Sequence, residues 1–173
     1  MDIKVENILL DDQYNPIIND FGLSLLIVVP STKRILKMRG TRGTKYIMCP
    51  QMWDKVEYNG LEADIFALGV LLYELVFNVI PFEQSNDDIY KDIRNKNYES
   101  FWGRVIGLNE ELDISQEFRD LYVKVVAFNP KERPRIKYIL QDPWFDEINK
   151  LTKEEYKKLE DEFFKFMEET EKR

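Results

Sequence analysis

A mainly α fold carrying a small β-hairpin is what this sequence predicts, on three grounds. From Leu61 to Phe77 the apolar residues run almost without break, too long for a strand and apolar on most faces, which describes a helix buried all round. Two further stretches, one starting at Ser115 and one covering residues 146–173, place their apolar residues at helical spacing. The strand pattern is confined to the beginning, where Asn7 to Asp11 and Pro16 to Asn19 are joined through the turn formers of residues 12–15.

The hairpin folds two polar stations toward each other: Asp2, Lys4 and Asn7 before it, Asp20, Phe21 and Gly22 after it. An acid to accept a hydroxyl proton, a Lys to neutralise phosphate charge, and an Asn with a second Asp to hold magnesium are the parts of a phosphoryl-transfer site. Residues 23–46 mix apolar and basic side chains with two glycines and no steady period, so a long loop is expected. Asn59 and Gly60 open the long helix, and Pro81 follows it. A shorter helix is expected over Asn86 to Asn95, with two aspartates at its positive end. The helix at Ser115 carries Glu117 in its first turn, sets Phe118, Leu121, Tyr122, Val125 and Val126 on one face, and stops before Asn129 and Pro130. Residues 146–173 are expected to form one acidic amphipathic helix. The acid-before-base pairs Glu154 with Lys158, Asp161 with Lys165 and Glu168 with Lys172 would each add about 0.2 to 0.5 kcal/mol. Its Phe163 and Phe166 would dock on the body of the fold.

Composition narrows the function. The chain has 173 residues, a formal charge of -7 and no Lys/Arg-rich block, which disfavours nucleic-acid binding by phosphate neutralisation and suits basic partners. One Cys and no His exclude an internal disulfide and the Cys/His spacings of a zinc site. No signal peptide is legible, and the apolar run from Ile65 to Phe82 is interrupted by Glu74 and Asn78. A charge at a bilayer centre costs about 3 kcal/mol, so no membrane span is expected and a cytoplasmic setting fits.

The order of motifs carries a resemblance. Asp2-Ile-Lys4-Val-Glu6-Asn7, Asp20-Phe21-Gly22, Gly43-Thr44-Lys45-Tyr46 with Cys49-Pro50-Gln51, Asp64-Ile-Phe-Ala-Leu-Gly69, and Asn129-Pro-Lys-Glu-Arg133-Pro follow one another as in the C-terminal lobe of a eukaryotic-type serine/threonine protein kinase. The resemblance extends to its basophilic, calmodulin-dependent-kinase-like or related group. It implies a lobe over residues 1–145, followed by the acidic helix of 146–173. It also implies ATP and Mg2+ as cofactors, Asp2 as base, Lys4 on the γ-phosphate, Asn7 and Asp20 on metal, and Thr44 shaping the docking loop. Glu6 and Glu74 would hold a basic residue of a protein or peptide substrate, with Phe21, Gly22, Asp64 and Arg133 in structural parts. Thr41, Thr32 and Ser31 are candidate phosphorylation sites, although the Arg that usually receives such a phosphate is absent.

Three departures bear on activity. Met1 stands where the family has an Arg before the catalytic Asp, and the Gly-rich loop, the strand Lys and its Glu partner are not among these residues. A separate or missing N-terminal lobe is therefore an expected partner, and the chain alone is expected to be inactive or very weak. Gln51 replaces the usual Glu, so its link to Arg133 becomes a neutral hydrogen bond. Cys49 replaces Ala, as an inert buried residue. The alternative is a pseudokinase-like binding module or scaffold with no catalysis.

Overall fold

The structure, a computed structural model, describes residues 2–108 and 113–171. Strands β1 (Ile8–Leu10) and β2 (Pro16–Ile18) pair antiparallel, Ile8 opposite Ile18 and Leu9 opposite Ile17. Their turn is fixed by Asp11, whose carboxylate accepts from the Gln13 and Asn15 backbone N–H groups, each at 2.8 Å. Tyr14 takes a left-handed φ of 59° within that turn. The expected loop after the hairpin is not wholly irregular. Val28 bridges Ile35, and β3 (Lys37–Met38) pairs antiparallel with β4 (Tyr58–Asn59), a two-residue match across twenty positions that no local period could announce.

Helix α1 (Pro50–Trp53) leads to β4 and then to α2 (Gly60–Phe77), the axis of the molecule. Asn59 caps α2 by accepting from the Leu61 N–H at 3.1 Å, and Asn78 closes it in the left-handed conformation, an ending that Asn tolerates. The helix is not buried all round: Phe66, Ala67, Val70 and Tyr73 are buried, whereas Leu75 is 68% exposed. Gly69 is needed where it stands, because a Cβ there would lie 2.5 Å from a Val126 methyl and 2.9 Å from one of Val125.

Helices α3 (Asp88–Arg94), α4 (Tyr98–Leu108) and α5 (Gln116–Val125) follow; α5 packs on α2, α3 packs on α4, and α4 meets α5 through aromatic rings. Ser115 caps α5 by accepting from the Phe118 N–H. Helix α4 carries two glycines and a mixture of aromatic and β-branched residues, a poor helix former in isolation. Burial of Phe101, Trp102 and Val105 decides it. Phe101 stacks on Tyr122 at 5.5 Å, and Tyr122 meets Tyr73 at 5.7 Å, so buried aromatic rings of three helices join within the core. Short helix α6 (Ile136–Ile139) follows.

The C-terminal stretch is two helices rather than one, α7 (Asp146–Lys150) and α8 (Lys153–Glu171). The cause is a capping box: the Thr152 N–H donates to Glu155 at 2.8 Å, and the Glu155 N–H donates to the Thr152 hydroxyl at 3.2 Å. Lys158 reaches Glu162 at 3.9 Å instead of Glu154. The expected pair of Glu168 with Lys172 and the side chain of Phe166 lie outside the described residues. Phe163 does dock, together with Phe164, against Tyr14 of the hairpin turn.

Candidate functional site

Local turns create the site. A 3-10 turn over Val5–Asn7 follows Lys4, whose carbonyl accepts from the Asn7 N–H at 3.0 Å, and it folds Asn7 back over Asp2. The Asn7 amide nitrogen then donates to the Asp2 carbonyl at 2.9 Å and to Asp2 Oδ2 at 3.3 Å. From forty residues away Thr44 closes the cluster. Its N–H donates to Asp2 Oδ1 at 2.8 Å, and its hydroxyl accepts from Lys4 Nζ at 2.9 Å. Lys4 Nζ also lies 3.8 Å from Asp2 Oδ2, both side chains being largely covered.

Electrostatics follow from that packing. Burial works to raise the pKa of Asp2, but the Thr44 hydrogen bonds, the Lys4 charge and the Asn7 amide outweigh it and hold the carboxyl below its ordinary value. Asp2 is therefore an oriented carboxylate at neutral pH. One of its oxygens is bound to a backbone N–H, and the other faces a cation and an amide.

Asp20 reaches the same region by the hairpin, since the Asn19 N–H donates to the Asn7 carbonyl at 2.8 Å. Its own side chain accepts from the Gly22 N–H at 2.9 Å, and its φ is 60°. The left-handed φ of this turn falls on Asp20, whose short polar side chain stabilises it. Phe21 is 68% exposed, so it has no part in this core. With the Asn7 amide nitrogen spent on Asp2 and one Asp20 oxygen on Gly22, each residue keeps a further oxygen, the hard donor type that magnesium takes. Among the described residues no group of three or more acidic or Cys side chains could hold a metal by itself.

Glu6 and Glu74 lie near enough for the charge of Glu6 to act on Glu74, and neither forms an ion pair among the described residues. The Tyr46 hydroxyl donates to both Glu6 oxygens, at 3.2 and 3.1 Å. Burial, with the negative charge of Glu6 adding to it, raises the Glu74 pKa, and one Glu74 oxygen is buried without a hydrogen-bond partner among the described residues. Tyr46 itself is held protonated by burial and by its bond to Glu6. The sequence contains Tyr46 inside the Gly-Thr-Lys-Tyr motif, but its hydrogen bond to Glu6 appears only from the distances.

Arg133 is buried and spends its guanidinium on neutral acceptors: Gln51 Oε1 at 2.9 Å, and the carbonyls of Ala127 at 2.8 Å and Glu62 at 2.9 Å. The expected neutral link to Gln51 is present, and burial lowers the arginine's pKa. Cys49 is buried and its thiol pKa is raised by that burial, in keeping with an inert residue. Asp64, half-buried beside Ile3 in the wall of an apolar groove of about 730 Å³, has its pKa raised by burial.

Comparison with known proteins identifies the family. The family model for the protein kinase domain matches residues 1–145. The probable cell cycle serine/threonine-protein kinase CDC5 homolog of Encephalitozoon cuniculi (strain GB-M1) is 37% identical over 140 residues, covering 80% of this chain and 27% of that protein. From Oryza sativa subsp. japonica, serine/threonine-protein kinase SAPK6 is 33% identical over 83% of this chain and 38% of its own length. CBL-interacting protein kinase 10 of the same organism is 33% identical over 83% of this chain and 30% of its own. The chain therefore spans between about a quarter and two fifths of the length of these relatives.

Proposed function

The chain belongs to the protein kinase family, and on that premise we propose that its site serves ATP-dependent transfer of a phosphoryl group to a Ser or Thr hydroxyl of a protein. One observation carries the reading: the Asn7 amide and the Thr44 N–H both donate to the Asp2 carboxylate, and Lys4, hydrogen-bonded to the Thr44 hydroxyl, lies 3.8 Å from it. Asp2 would accept the proton of the attacking hydroxyl. Thr44 fixes the direction of that carboxylate, and Lys4 neutralises charge on the transferred group. Asn7 and Asp20 would hold Mg2+, which supplies charge neutralisation on the phosphates when bound. The acids Glu6 and Glu74, near enough for the charge of one to act on the other, suit a basic residue of the substrate, which would bring a compensating positive charge. Residues 146–173 are taken as an appendage to this lobe.

Catalysis of this type is almost entirely positioning and electrostatics. The nucleotide-gripping Gly-rich loop, strand Lys and its Glu are not within residues 1–173, and each absent contact costs about 3 kcal/mol by analogy with lost oxyanion donors. A polypeptide of these residues alone is accordingly expected to transfer phosphate at a rate below detection while still binding Mg–ATP weakly. Thermal denaturation with and without Mg–ATP tests the site: an upward shift that disappears in Asp20→Asn supports it.

A second reading, a binding module without catalysis, is favoured by the apolar residues of the hairpin. Leu9, Leu10, Ile17 and Ile18 are all about half exposed, an unusual concentration on one small ribbon. An unshifted melting curve at millimolar Mg–ATP would favour that reading over phosphoryl transfer.

A further inference from the structure

Burial along the hairpin and along α8 is confined to matching points. From Asp12 to Asp20 every side chain is exposed except Tyr14, and among the described side chains of α8 only Phe164 and Met167 are not exposed. These points meet. The Tyr14 ring lies edge-on to Phe163 at 5.9 Å and tilted against Phe164 at 5.5 Å. The turn that presents Tyr14 is stiff, because Asp11 accepts from two backbone N–H groups and from the Asn15 amide, and because Tyr14 N–H closes on the Asp11 carbonyl at 2.9 Å. Three paired residues separate that turn from the hairpin base, where Asn19 N–H meets the Asn7 carbonyl. A displacement of the tip is therefore transmitted along a short ribbon to the two residues whose spacing sets the cation site.

We propose that α8 is a strap on the hairpin: through Phe163 and Phe164 it grips Tyr14, and so positions Asn7 and Asp20. Tyr14 is a positioning residue, some three strand residues from the reacting groups. The ribbon needs such a brace, since its strands expose about half of Leu9, Leu10, Ile17 and Ile18 and bury no side chain of their own. Partners that displace α8 from Tyr14 would loosen the cation site without touching it.

Amide hydrogen exchange on the full chain, without nucleotide, decides the mechanical claim. In Phe163→Ala/Phe164→Ala the amides of Asp11, Tyr14 and Asn19 are expected to exchange about tenfold faster, while Asn78 at the end of α2 keeps its rate. Phe163→Tyr/Phe164→Tyr, which retains both rings, is expected to stay near the original rates. Tyr14→Ala, cutting the contact from the other side, must reproduce the pattern. Unchanged rates at Tyr14 overturn the contact, faster exchange at Tyr14 with an unchanged Asn19 overturns the transmission, and equal acceleration at Asn78 overturns the local action. The consequence for the cation rests on the phosphoryl-transfer reading and is read separately, as the Mg2+ concentration required for ATP to slow exchange at Asn19. That concentration is expected to rise about fivefold in the Ala double variant. A chain that shows no Mg–ATP effect at all refutes the phosphoryl-transfer reading and leaves the exchange result standing.

Discussion

At the scale of single residues, the charges that serve the proposed chemistry also tax the fold. Glu74 ionises at a cost, because burial and Glu6 raise its pKa above the ordinary 4.5. A carboxyl whose folded pKa is raised favours the folded state at low pH, and that advantage is lost as pH climbs from 4.5 through the raised value. Glu74→Gln is therefore expected to be more stable than the parent at pH 7 and equal to it below pH 4. The same variant is expected to lose affinity for a peptide with a basic residue, so urea midpoints and peptide titration should move in opposite directions. Asp2 behaves inversely. Its lowered pKa contributes stability that is present above the ordinary 3.8 and is lost as pH falls through the depressed value. At Arg133 a buried cation has only neutral partners, and Gln51→Glu places a carboxylate where Gln51 Oε1 now accepts at 2.9 Å. We expect a gain of about 1 kcal/mol in urea unfolding, since charge-assisted bonds exceed neutral ones and the bond from Gln51 to the Phe128 carbonyl is given up.

Among the elements, those whose cause is local were legible and those whose cause is remote were not. The start at Ser115, the Asn59 boundary of α2 and the hairpin turn all follow from residues within four positions of each other. Helix α4 escaped because its propensity is poor and its burial is decided by α3 and α5. The pairing of β3 with β4 escaped because two residues carry no period. The break between α7 and α8 was available in principle, as Thr152 and Glu155 stand at capping-box spacing inside an otherwise even charge pattern. Of the site, the identities of Asp2, Lys4, Asn7 and Thr44 were readable from motif order, whereas the bond from Tyr46 to Glu6 and the left-handed turn at Asp20 needed coordinates. Element packing makes its own prediction. Gly69→Ala would drive a methyl group into Val125 and Val126 at the crossing of α2 and α5, and is expected to cost about 1 to 3 kcal/mol by chemical denaturation. Thr152→Ala is expected to fray the start of α8 for about 1 kcal/mol, visible as lost ellipticity at 222 nm.

Over the whole molecule, stability and chemistry occupy different places. The helical body holds the buried aromatic rings, while the proposed site rests on a 3-10 turn and a ribbon whose strands bury none of their side chains. Variants in the body are expected to change how much folded protein exists, and variants on the ribbon to change what that protein can do. The three tryptophans all belong to the body: Trp53 ends α1, Trp102 packs against Tyr122, and Trp144 lies against Phe118. Indole fluorescence will accordingly watch the wrong district. A heated sample can keep its native emission after the ribbon has already come apart, and an optical melting point will overstate the temperature at which the chain remains competent.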